Sequence, residues 1–328
     1  MLATFVDRAL ALLDRRFLVG YWMPAFLFGL LLFFTAGWSL PWLGLTAADY
    51  FALQGLRLSG ITLGLLFLVT LLAYLLRAFT RPIIRTYEGY WPWWRLQAWG
   101  IRRRQAAWRR LRQQREASAR QNDRRRYGHL QARLYRDFPS REDRILPTRL
   151  GNVLRAAEDY STTRYGLDGV FWWPRLEPLL PESLLARLEA TFMGLVALLN
   201  LATLSVLYAL LLLFNLLLCW RGCVTMGRDF WWWSWPLVAV LALVVAYVIY
   251  RGAVAQARAY GDLIRVAYDE HRFRVLEALH IARPQTPAEE HALWRRLSRW
   301  LYQQDLGAAR ALSYAWPRHA EEEADPTT

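Results

Sequence analysis

The residues that most often carry chemistry are few in this chain and scattered along it. The five histidines are His129, His271, His280, His291 and His319. None has a second ligand at helical spacing, so the His-Glu-x-x-His arrangement of a catalytic zinc is absent. All 41 basic residues are arginine, which excludes chemistry that needs a lysine amine: a Walker-A clamp, a Schiff base or a Ser-x-x-Lys nucleophile. No Gly-x-Ser-x-Gly elbow and no Gly-x-Gly-x-x-Gly loop occurs. Cys219 and Cys223 are the two cysteines, too few for a disulfide framework or a four-cysteine zinc site. Their spacing does not give their redox state. The pattern predicts a non-enzyme with no catalytic, cofactor-binding or metal-binding residues.

Three constellations remain. Arg164, Asp168 and Arg175 are near enough in sequence to form an ion-pair knot, read as a structural tie or, alternatively, as a partner site. Arg102, Arg103, Arg104, Arg109 and Arg110 open a run, residues 100–129, that holds eleven arginines and two acids. Ile101, Trp108 and Leu111 share one helical face there, and beyond Leu111 the helix is polar all round, which predicts a helix facing water or lipid headgroups. Nucleic acid is disfavoured as a partner because no helix-turn-helix or ribonucleoprotein signature accompanies the charge. Lastly, Asn200, Tyr208 and Asn215 fall roughly on one face of an apolar stretch, and Gly60-x-x-x-Gly64 marks another. These are candidates for helix packing or, for the three polar residues, for lining a pore.

The elements that must position these residues follow from composition. A net charge of +14 accompanies 55% hydrophobic residues and eighteen tryptophans, which places the chain in the membrane class. Four windows carry no charge over about the twenty residues that cross a bilayer: 18–38, 58–76, 194–219 and 233–250. They predict an all-α integral membrane protein with four transmembrane helices in two hairpins and cytoplasmic helical segments. The expected divisions are an interfacial amphipathic helix over 1–16, a transmembrane hairpin over 17–79 and an Arg-rich helical segment and cap over 80–189. A second hairpin over 190–250, a cytoplasmic helical hairpin over 251–305 and a tail over 306–328 with a disordered end complete the chain. The first window is expected to stay as a span. Two acids precede it, and it is too long for the apolar region of a cleaved signal peptide.

Arginine counts set the expected sidedness. Thirty-eight lie in the N-terminal segment, residues 77–189 and the stretch after Tyr250, against three in the two remaining loops, which puts both termini and the long middle segment in the cytoplasm. Trp38, Trp42, Trp220, Trp231, Trp232, Trp233 and Trp235 would form the outer aromatic belt, and Trp91, Trp93, Trp94 and Trp99 the inner one. Trp172 and Trp173 are read as a further interfacial anchor. Thr148 is expected to cap a helix that buries Leu150, Val153, Leu154 and Ala157 and turns Asn152, Arg155, Glu158 and Asp159 away. After Tyr250, Ala253, Ala257, Tyr260, Ile264 and Ala267 predict a packing seam, with Arg251, Arg258, Arg265 and Arg272, seven apart, on a wet face. Thr286-Pro287-Ala288-Glu289 reads as a capping box opening a helix that buries Leu293, Trp294, Leu297, Trp300 and Leu301.

The strings EGYW (88–91), PTRLGNVLRAAEDY (147–160), RYGLDGVFWWPRL (164–176) and PAEEHALWRRLSRWL (287–301) resemble a family of uncharacterised bacterial multi-pass membrane proteins. They cover about a seventh of the chain. The resemblance implies the plasma (inner) membrane of a bacterium and brings no activity, cofactor or site residue with it. Two functions stay open: a non-enzymatic scaffold or signalling protein binding an unknown protein partner through its cytoplasmic helices, or a homo-oligomeric pore. The lipid bilayer, with anionic lipids among its components, is the other expected partner.

Overall fold

The computed structural model describes residues 14–35, 50, 53, 55–221, 234–309 and 312–314. Among these the chain is helical, and its one β pairing is an isolated bridge between Ile281 and Tyr314. In chain order the helices of eight or more residues are α1 (Arg15–Phe34), α2 (Gly55–Ala78), α3 (Thr80–Glu88), α4 (Trp94–Arg120), α5 (Arg124–Asp137), α6 (Arg149–Tyr165), α7 (Gly169–Leu176), α8 (Glu182–Trp220), α9 (Ser234–Ala278) and α10 (Pro287–Gln303). They fall into two compact units, Met1–Gln97 with Ala190–Ala257, and Ala98–Glu189 with Arg258–Thr328.

Helices α1, α2, α8 and α9 are long and apolar enough to cross a bilayer, which is compatible with a membrane location. The four charge-free windows fall on them, but α8 and α9 run well past their windows. Apolarity marks where a span can lie, whereas helix propensity and caps decide where a helix stops. From Arg251 to Ala278 the sequence is rich in Ala and Arg and has no proline, so nothing ends α9 there. Of the expected interfacial helix over 1–16, residues 1–13 lie outside the described residues. So do Trp38, Trp42, Trp231, Trp232, Trp233, Cys223 and everything beyond residue 314.

In the first unit, Phe17, Tyr21 and Ala25 of α1 pack with Ala73 and Leu76 of α2 and Val196 and Leu204 of α8. Pro24 shapes this contact. It has no N–H to give the carbonyl of Gly20, one turn earlier, and its ring crowds that carbonyl. The helix widens into a π turn over Leu18–Trp22, and Asn200 Nδ2 of α8 donates to the Gly20 oxygen at 2.8 Å. Gly20 also permits the approach of α8, since a Cβ there would meet Met193 Sδ at 3.3 Å.

In the second unit, caps set the helix starts. Thr148 Oγ1 accepts from Gly151 N, and Thr286 Oγ1 from Glu289 N, while Glu289 Oε2 reaches back to accept from Gln285 N. The arginine run, expected as one helix, is two. α4 ends at Arg120, Asn122 takes a positive φ of 54°, and the Asp123 carboxylate caps α5 by accepting from Arg126 N. Trp108, Leu111, Leu130, Phe138 and Ile145 form the apolar cluster that this bend allows. The larger core joins Leu167, Trp172 and Leu176 to Ala267, Tyr268 and Leu276 of α9 and Leu293, Trp294 and Leu297 of α10. Trp172 is therefore core and no interfacial anchor. Its ring is fully buried edge-on to Trp294 at 5.2 Å, and its indole N–H donates to Ser298 Oγ.

Candidate functional site

Of the arginines spaced by seven on α9, Arg265 and Arg272 are covered within the second unit, against the expected wet face, Arg258 is half-exposed there, and Arg251, in the first unit, is exposed. Arg258 grips Asp137 with two nearly parallel hydrogen bonds, Nε to Oδ1 at 2.6 Å and Nη2 to Oδ2 at 3.0 Å. Arg265, only 4% exposed, donates to Asp262 and to the carbonyl of Tyr135, and its guanidinium lies 4.5 Å from the Tyr135 ring centre. Arg272 binds Glu290 of α10 at 2.6 Å, donates to the Asp269 carbonyl, and stacks over Tyr165 at 4.0 Å. The acids come from α5, from α9 itself and from α10. Three cations spaced seven residues apart thus tether two neighbouring helices to α9. A pair such as Arg272–Glu290, with both side chains nearly covered, leaves an uncompensated charge if one member is removed, at a cost of about 3–5 kcal/mol.

Asp269 extends the network outward. Tyr160 and Tyr165 of α6 both donate their phenolic O–H to its carboxylate, at 2.8 and 2.6 Å. Burial first, and then these bonds to a carboxylate, push both phenols above their ordinary value. They act as protonated donors at neutral pH and not as bases.

The three-residue knot does not form. The Asp168 carboxylate accepts from Val170 N and Phe171 N and so caps α7. Arg175 donates to the Phe171 carbonyl and stacks on the Phe171 and Trp172 rings, at 4.2 and 5.6 Å. Neither arginine reaches Asp168, because backbone donors two and three residues ahead of a carboxylate need no long side chain to be ordered. Gly166, with φ of 74°, ends α6 beside His291, where a Cβ would come within 2.9 Å of the histidine. Asn152, expected to point away, is buried and ties the loop before α6 by bonding Leu146 N, the Leu146 carbonyl and the Thr148 carbonyl.

Asn200, Tyr208 and Asn215 are all buried inside the first unit. Asn200 serves helix packing, as above. Gly60 and Gly64 meet no neighbouring atom within 4 Å of an added Cβ, so they form no packing seam among the described residues. Of the arginines opening the run, Arg102, Arg103, Arg109 and Arg110 are exposed and Arg104 is half-buried. Arg109 donates to Glu142 at 2.7 Å, and Arg103 stacks on Trp99 at 5.5 Å.

Beside the tyrosine network the second unit opens into a cleft of about 560 Å³ that Arg112 and Arg115 of α4 and Arg164 of α6 line together. Sequence reasoning put Arg112 and Arg115 in the arginine run and Arg164 in the knot with Asp168 and Arg175. α4 and α6 come together only through the fold, and no local pattern announces it. Among the described residues no cluster of three or more histidine, cysteine or acidic side chains could hold a metal ion. Comparison with family models, with curated proteins and with solved structures finds no match.

Proposed function

We propose that the protein is a bacterial inner-membrane protein with both termini in the cytoplasm. Its four apolar helices anchor the polar helical unit, which acts as a non-enzymatic scaffold or signalling module by binding a protein partner. One contrast carries this reading. The three polar side chains in the middle of α8, Asn200, Tyr208 and Asn215, are turned inward, with Asn200 Nδ2 bonded to the Gly20 carbonyl, whereas the second unit presents a cleft with exposed guanidinium groups. A transporter or pore commonly needs ionisable or free polar groups along its path. The homo-oligomeric pore would need Asn200, Tyr208 and Asn215 to face a lumen, and their burial within one chain weighs against it. The exposed Arg102, Arg103 and Arg110 beside Trp99 suit contact with anionic headgroups, where each arginine adds about 1 kcal/mol.

Recording from the purified protein in planar bilayers tests the choice. Silence is expected, together with a partner that co-purifies in fixed stoichiometry from native membranes. Unitary currents that change in Asn200→Leu would establish the pore instead.

A further inference from the structure

The cleft of the second unit carries an excess of positive charge that the fold does not neutralise. Asp159 is the one acid on its wall, and it is already taken: Arg144 holds it with bonds of 2.6 and 3.0 Å, leaving it 12% exposed. Arg112 and Arg115 share a single carboxylate, Glu116, at 3.3 and 3.7 Å, and that carboxylate is half-exposed, where an ion pair is worth little. Arg164 makes no ion pair among the described residues. Counting Arg144 and Glu116 with the wall, four guanidinium groups face two carboxylates.

Arg112 and Arg115 are also held by contacts that do not neutralise them. Arg112 lies on the Trp108 ring at 5.2 Å, and Arg115 Nη1 donates to the neutral Gln131 Oε1 at 3.0 Å. Such contacts fix guanidinium planes while leaving their charge for something else. Ser140 Oγ and Thr163 Oγ1 stand 3.1 Å apart on the same wall. Either can donate to the other, so one hydroxyl hydrogen of the pair stays free for a ligand.

We propose that this cleft binds a small phosphate-bearing anion of at least two negative charges. Arg112, Arg115 and Arg164 are its charged donors and the Ser140–Thr163 pair its neutral donor. Planar guanidinium forks match phosphate oxygens two at a time, and an excess of two cations matches a phosphate dianion better than a single carboxylate. The volume lies within the range of small-molecule sites and exceeds what inorganic phosphate alone would fill. The assignment rests on reading the second unit as the binding part of the protein, and it names what that part takes. The phosphate can belong to a soluble phosphoester or to a phospholipid headgroup.

The test uses the full chain purified in an uncharged detergent at about 0.15 M salt, where diffuse attraction is screened beyond about 8 Å. Inorganic pyrophosphate and a short-chain phosphatidic acid are titrated separately. Saturable binding of pyrophosphate is expected. Arg164→Gln and Arg115→Gln should each weaken it about tenfold, the equivalent of about 1.4 kcal/mol. Arg295→Gln, which removes an exposed charge outside the cleft, should change it less than about twofold, since distant surface charges are screened. Arg164 is exposed and unpaired, so its variant keeps the fold. Binding of phosphatidic acid alone, with the same ranking of variants, would assign the site to a lipid headgroup. No saturable binding of either probe, or equal weakening by all three variants, would overturn the site. A protein that conducts in bilayers yet binds pyrophosphate would refute the scaffold reading and leave this site standing. A silent protein whose cleft takes neither probe would do the reverse.

Discussion

Asp168 shows how a residue's chemistry depends on which partner reaches it first. Its carboxylate lies among arginines in sequence, yet it spends its acceptors on the first turn of α7. Asp168→Ala should therefore cost about 1 kcal/mol of stability, the usual worth of an N-cap, whereas Asp168→Asn, which caps equally well, should be near neutral. Thermal melts in detergent distinguish the two substitutions, and equal losses would restore an ionic role. Tyr160 and Tyr165 make a different case. Their phenols titrate near 10 when unfolded and higher when folded. The stability they add is thus full below pH 10 and is lost as pH rises from there through the folded values, because only the unfolded chain releases those protons. The Tyr160→Phe, Tyr165→Phe double variant should start less stable at neutral pH and decline less steeply above about pH 10. Denaturant midpoints across that range measure it, and an unchanged alkaline slope would exclude the network as the cause.

At the scale of elements, the coupling of Pro24 to Asn200 is the clearest claim. Asn200→Leu should destabilise the first unit by about 0.6 kcal/mol, the average for hydrogen bonds between membrane helices, and by no more than about 1.7 kcal/mol, the largest such value. In a Pro24→Ala background the same change should cost less, because residue 24 then offers Gly20 an N–H of its own. A double-mutant cycle reads the difference, and simple additivity would mean that Asn200 does not replace the missing donor. The same scale shows what the sequence could and could not disclose. Charge-free windows located the apolar helices, and Thr148 and Thr286 announced their helices, because both signals act within a few residues. The Ala253, Ala257 and Ala267 seam was legible for the same reason, being small residues at helical spacing, and all three are buried. Arg265 and Arg272 were misread as wet, and the tie of the half-exposed Arg258 was missed, because their partners Tyr135, Glu290 and Asp137 lie on other helices. The bend at Asn122 and the cleft shared by α4 and α6 were hidden likewise: local charge reads as solvated until tertiary structure supplies a counter-charge.

For the whole molecule, the proposed function stands on the sidedness of the second unit. The arginine-poor loops hold three of the 41 cations, and every exposed guanidinium assigned here to headgroups or to the cleft lies in the arginine-rich remainder. If that remainder faced outward, neither a cytoplasmic partner nor a cytoplasmic phosphoester could reach it. A reporter enzyme active only outside the cytoplasmic membrane, fused in turn after residues 48, 120 and 328, measures this directly. Activity at 48 with none at 120 or 328 is the predicted result, and activity at 120 would contradict it.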